Sequence, residues 1–185
     1  NGEPFEQDNF NILEKHINHP KCIAVGECGL DYFRLPEDED EKIANVKKQK
    51  EVFIAQINFA KKVNKPLIVH VRESSNDSRQ ILIDYNAKEV GGVLHCFNAS
   101  EHLLPLSEHN FYFGIGGVVT FKNAKKLVEI LPKIPKEKLI IETDGPYLTP
   151  HPFRGKRNEP YYTTLVADKM AEILDISREE IDNLT

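Results

Sequence analysis

Four separate segments of this 185-residue chain each place a side chain able to bind a metal ion just after an apolar run. Glu27 follows IAVG, His70 follows LIV, His95 follows GVL and Asp144 follows LIIET. Carboxylate and imidazole together form the ligand set of a catalytic divalent ion such as Zn, Mn or Mg. A glutamate shared between two ions would support a two-metal site, with ions about 3.5–4 Å apart clamping a phosphodiester. Taken singly, a histidine ending a strand is more often a packed or surface imidazole than a ligand. Four such groups in register shift that balance, because polar groups at the ends of buried strands need partners and one cation serves them all. His16, His19, His102 and His109 fall in helical or loop segments and read as ordinary surface residues.

The elements that must carry these groups follow from the hydrophobic pattern. Residues 22–27, 66–71, 92–97, 111–117 and 139–144 are short, rich in Val, Ile and Phe, and apolar on both faces. That predicts strands buried on both sides, as in a parallel sheet. Between the first two, Ile43, Val46, Phe53, Ile57, Ala60 and Val63 recur at helical spacing, which predicts one amphipathic helix over 38–64. Further helices are expected at 77–86, in short pieces between 100 and 109, at 123–131 and at 162–174, and Ser177 with Glu180 forms a capping box opening another. Strand and helix therefore alternate, and such folds place their sites at the carboxyl ends of the strands. The four ligand candidates thus converge on one place.

Composition sets the bounds. At 40% hydrophobic and 29% charged the chain is a globular domain, with no second domain marked by a linker or composition shift. No apolar run approaches the roughly 20 residues of a bilayer span, and the first residues are neither basic nor apolar, so neither a membrane segment nor a signal peptide is expected. Three cysteines without C-x-x-C spacing argue against a disulfide framework or thiolate zinc site and point to a reducing cytoplasm. The net charge of −5 confines any nucleic-acid contact to a local patch. Arg154, Lys156 and Arg157 form the dense basic cluster near the proposed site, suited to holding phosphates, with a solvated loop as the plain alternative. Arg72, two residues past His70, faces the same way and is a second phosphate candidate, or else the partner of a nearby carboxylate.

Several neighbours have plainer readings. Cys28 and Cys96 each follow a ligand candidate and so point into the helix layer as core thiols. Asp31 and Tyr32 order a loop or cap a helix, outside the ligand set. Glu142 faces the same way as Asp144 but one layer deeper. Gly114, Gly116 and Gly117 reflect close backbone packing rather than a phosphate loop, and the acidic stretch 37–41 suits a helix N-terminus.

The strings VGECGLDY (25–32), PLIVHVRE (66–73), GGVLHCF (91–97), LIIETDGPYL (139–148) and HPFRGKRNEP (151–160), in that order, closely resemble the TatD family of metal-dependent deoxyribonucleases. The resemblance implies a TIM-type (β/α)8 barrel that hydrolyses DNA phosphodiester bonds with one or two divalent ions at the strand ends. It implies that Glu27 bridges two ions, that His70 and His95 bind the second, and that Asp144 is a ligand that also orients the attacking water and acts as base. DNA is then the partner, with no membrane and no obligate protein partner. Family members open with a His-x-His strand that these residues lack, so the chain is expected to supply about the last five strands, short of the first three and of the end of the last helix. A metal hydrolase of another ester or amide, or a non-catalytic remnant, are the alternatives.

Overall fold

The computed structural model describes residues 7–185. The reading of the N-terminus as free of a signal peptide falls largely on residues 1–6, outside the described part. Five strands, β1 (Val25–Asp31), β2 (Leu67–Arg72), β3 (Gly92–Leu94), β4 (Phe111–Ile115) and β5 (Leu139–Ile141), pair in chain order, and every neighbouring pair is parallel. Helices α1 (Gln7–His16), α2 (Glu39–Val63), α3 (Ser75–Asp84), α4 (Lys125–Ile130), α5 (Thr163–Leu174) and α6 (Arg178–Leu184), with short 3₁₀ turns, connect or flank them. Sequential parallel order is the arrangement of a β/α barrel wall.

The long helix lies where the periodicity puts it. Asp38 caps α2 by accepting from the N–H groups of Asp40 and Glu41, acidic residues fill its first turn, and Asn64 ends it in the left-handed region. Phe53, Ile57 and Ala60 are fully buried on its inner face. Along β2 the burial alternates: Leu67, Val69 and Val71 sink into the core while Ile68, His70 and Arg72 face the other side of the sheet. The core between sheet and helices is built on Leu30, Val69, Leu94 and Phe113, with Phe97 edge-on to Phe113 at 5.0 Å.

Several expectations need correction. The first strand runs 25–31 rather than 22–27, because its register shifts between Val25 and Cys28 and then recovers along β2. Glu27 is therefore not a terminal residue but sits at that irregularity, exposed. Gly29, with φ of +138°, lies against β2 so closely that a Cβ would meet the His70 carbonyl oxygen at 2.0 Å, so only glycine lets the strands pair there. The third and fifth strands are shorter than expected, and His95 and Asp144 stand one and three residues beyond them. Helix α1 was not expected. It docks by Phe10 edge-on to Phe59 of α2, with Glu14 paired to Lys62 at 2.8 Å. Ser177 caps α6 by accepting from the Glu180 N–H, while the Glu180 carboxylate pairs with Lys136 instead of closing the box.

Candidate active site

The ligand candidates form two imidazole–carboxylate groups: His70 and Asp31 at the carboxyl ends of β2 and β1 with Glu27 from the β1 irregularity, and His95 and Asp144 just beyond β3 and β5. His70 lies between two carboxylates of β1, its Nδ1 2.9 Å from Glu27 Oε1 and its Nε2 3.2 Å from Asp31 Oδ2. Glu27 and Asp31 are four residues apart on one strand, so both project to the same side. The other Asp31 oxygen accepts from the Phe33 N–H and so holds the following turn.

His95 is held from β5. Its Nδ1–H donates to Glu142 Oε2 at 2.8 Å, and its Nε2 is 3.5 Å from Asp144 Oδ1. Glu142 Oε1 accepts from the Cys96 N–H, so one carboxylate fixes both the ring and the backbone beside it. The Glu142 side chain is 14% exposed and that of Asp144 38%, which orders them as inner support and outer, reachable group. Gly114 makes room for this: a Cβ there would meet Glu142 Oε2 at 2.3 Å. The hydrogen bond to Glu142 pushes the His95 pKa up to about 9, against the opposing effect of burial, and the charges of Glu142, Glu27 and Asp144 add to the rise. The pocket therefore draws positive charge, with four carboxylates around two imidazoles. Among the described residues, no three His, Cys, Asp or Glu side chains stand ready-made to hold an ion. Both rings are turned onto carboxylates, His70 by both nitrogens and His95 through Nδ1, with Nε2 of His95 toward Asp144.

Glu27, His70, His95 and Asp144 are thus brought to one face, and Asp31 and Glu142 join them though neither was in the ligand set. Strand alternation carried a signal for both, since Asp31 is even-spaced from Glu27 and Glu142 from Asp144. Cys28 is the core thiol expected, bonded to the Ile68 carbonyl with its pKa pushed up to about 12 by burial and then by Glu27. Cys96 is not: the strand has ended, its φ is +45°, and its thiol, raised to about 12 by burial first and then by Glu142, Asp144 and Glu27, borders the acidic pocket rather than the helix layer. His16, His19 and His102 are exposed and His109 half-buried.

The basic residues divide. Arg154, Lys156 and Arg157 line one open groove of about 520 Å³ together with Pro146 and Tyr147, in the loop that leaves Asp144. Arg154 lies over the Phe121 ring at 3.6 Å, Lys156 near Phe153 at 5.4 Å, and Arg157 pairs with Glu159 at 3.2 Å. Arg72 ends β2 on the His70 side, stacked over Phe33 at 3.6 Å and, among the described residues, in no ion pair with a carboxylate, and it is not part of the groove lining. No described helix is long and apolar enough to cross a membrane, and all three cysteines are free.

The chain matches the family described as TatD related DNase over residues 2–185. It is 48% identical over 182 residues to a Bacillus subtilis protein named uncharacterized metal-dependent hydrolase YabD, covering 97% of this chain and 68% of that one. It is 35% identical over 162 residues to a protein of Escherichia fergusonii named 3'-5' ssDNA/RNA exonuclease TatD, covering 83% of this chain and 58% of that one. Among solved structures, the TatD homologue YJJV of Escherichia coli K12 superposes with a TM-score of 0.81 at 27% identity, over 94% of this chain and 64% of the other. The chain thus spans about two thirds of the length of these proteins. It belongs to the TatD related DNase family and shares the TIM-barrel fold of that family's metal-dependent hydrolases.

Proposed function

We propose that the protein hydrolyses phosphodiester bonds in DNA with the help of one or two divalent metal ions held by Glu27, His70, His95 and Asp144. The observation that supports this reading is the pairing of those four side chains, from four separate segments, as Glu27 with His70 and Asp144 with His95, with a basic groove in the loop that follows Asp144. The donor set suits Mg, Mn or Zn, whose charge would balance that of the carboxylates around the two imidazoles. Glu142 then has the role of holding the His95 ring by Nδ1 so that Nε2 faces the site. When bound, a divalent ion supplies Lewis acidity, which acidifies water and neutralises charge on the phosphate.

The remaining steps fall to the chain itself. Arg154, Lys156 and Arg157 hold the phosphates flanking the scissile bond, and Arg72 steadies the strand from the other side. Asp144, the more open of the two β5-side carboxylates, accepts the proton of the attacking water as its oxygen adds to phosphorus. The bond from phosphorus to the leaving oxygen then breaks, that oxygen takes a proton from solvent water, and Asp144 returns its proton to solvent. The relative named as an ssDNA/RNA exonuclease supports a nucleic-acid substrate, and three free thiols suit a reducing cytoplasm.

An end-labelled DNA strand incubated with the protein in EDTA, then with Mg or Mn restored, tests this. Cleavage should be lost in EDTA and return with the ion. Cleavage that is indifferent to EDTA would refute the metal-dependent reading, and no cleavage of any strand with ions present would refute the nuclease reading.

A further inference from the structure

The loop after Asp144 is tied down by several hydrogen bonds of its own. The Tyr147 N–H donates to the Asp144 carbonyl at 2.7 Å, the Asn158 N–H to the Pro146 carbonyl at 2.9 Å, and Asn158 Nδ2 to the Tyr147 carbonyl at 2.7 Å. The Thr149 hydroxyl closes the loop onto the Lys156 carbonyl. Asn158 is only 3% exposed, so water does not compete for the bonds it makes. Yet Tyr147, at the centre of this fixed backbone, is 70% exposed. Its exposure is not a matter of looseness: the fold holds an aromatic ring out in water and forgoes the gain of burying it.

The ring's surroundings say what would cover it. Tyr147 lines the groove with Arg154, Lys156 and Arg157, and among the described residues neither Arg154 nor Lys156 is engaged in an ion pair. In a chain of net charge −5, this is a local concentration of cations around a bare aromatic face. A solvent-facing ring beside cations that can track a backbone is the combination that binds single-stranded nucleic acid: bases stack on the ring while the cations take the phosphates. A duplex has no free base face to offer, because its bases are already stacked on each other.

We propose that Tyr147 is a base-stacking subsite for a single nucleic-acid strand, placing an unpaired base next to the phosphate presented to Asp144. This rests on the nucleic-acid reading given above, and it adds a contact to the base where that reading has contacts only to phosphates. Tyr161 provides an internal comparison, being equally bare at 76% exposed but outside the groove lining.

The test is fluorescence anisotropy of a labelled oligothymidylate, and of an abasic strand of the same length, titrated with the protein in EDTA so that no turnover occurs. Tyr147→Ala should weaken binding of the thymidylate strand by about tenfold, the usual scale for removing one stacking ring. Tyr147→Phe, which keeps the ring, should bind as the parent does. The abasic strand should bind Tyr147→Ala and the parent alike, and Tyr161→Ala should match the parent on both strands. An unchanged thymidylate affinity in Tyr147→Ala, an equal loss on the abasic strand, an equal loss in Tyr147→Phe, or the same loss in Tyr161→Ala would each overturn the subsite while leaving the nucleic-acid reading intact. A parent protein that binds neither strand would overturn both.

Discussion

His95 is gripped at both nitrogens, by Glu142 inside and Asp144 outside, and the two carboxylates should fail in different ways when altered. Asp144→Asn keeps the shape and one coordinating oxygen but loses charge and basicity, so turnover should fall by at least about 10²-fold, as for loss of a general base, while DNA binding persists. Near-normal turnover over a broad pH range, measured in steady state with ion content unchanged, would mean that Asp144 is structural. Glu142→Gln leaves the outer ligands in place but has one acceptor oxygen where Glu142 uses two, so it cannot hold both the His95 ring and the Cys96 N–H, and its effect should appear in ion affinity, weakened by about 10- to 100-fold as for other groups that orient a metal-binding histidine. Calorimetric titration with Mn checks this, and Gly114→Ala should shift affinity the same way, since its methyl would force the Glu142 carboxylate aside. At this scale the sequence was partly legible. Residue type and position after an apolar run singled out Glu27, His70, His95 and Asp144, and the fold sets them in two imidazole–carboxylate pairs, Glu27 with His70 and Asp144 with His95. Asp31 went unassigned because an aspartate at a strand end is more often a cap, and only the packing of β1 on β2 brings it to the His70 ring. Cys96 was misplaced because alternation was carried past the end of β3, into a residue in the left-handed region.

The elements are joined near the site by a three-way link. The Tyr32 hydroxyl, just past β1, donates to Asp77 Oδ2 of α3 at 2.8 Å, and Lys50 of α2 pairs with the same oxygen at 2.7 Å. Lys50 first, and Tyr32 after it, hold the Asp77 carboxyl below its ordinary pKa despite some desolvation, and burial keeps the Tyr32 phenol protonated as a donor. Because the folded value is depressed, this link contributes stability above the unfolded carboxylate pKa, and the contribution is lost as pH falls through the folded value, below about pH 4. Urea midpoints should therefore be higher for the parent than for Asp77→Asn at pH 7, with the gap closing toward pH 3. A gap constant with pH would show that Asp77 acts only by its shape. The strands were legible because each contains a short run rich in Val, Ile, Leu or Phe, and α2 because its apolar spacing runs unbroken between two caps. What composition did not carry was where pairing stops: the register shift at Glu27 and the early ends of β3 and β5 are set by contacts with neighbouring strands. Helix α1 was missed for the same reason, since what holds it is Phe10 and Glu14 meeting a distant helix.

For the molecule as a whole, the sheet's sequential parallel order turns residues far apart in the chain into one acidic face, and the loop leaving β5 sets a basic groove beside it. An acidic protein can meet a polyanion under that division, with the attraction confined to the place where the chemistry is proposed. The order of motifs along the chain conveyed this plan; the bonds by which Glu142 and Asn158 brace it emerge only from the folded contacts. The most direct measurement is equilibrium dialysis of the protein against Mn, comparing the parent with His70→Ala, His95→Ala and Arg157→Ala. The account predicts that both histidine variants lose affinity for the ion by tenfold or more, about the effect of disturbing a metal-binding histidine, while Arg157→Ala, altered only in the groove, binds as the parent does. Equal ion binding by all four proteins would contradict it, because the strand-end face would then not be the place where the metal is held.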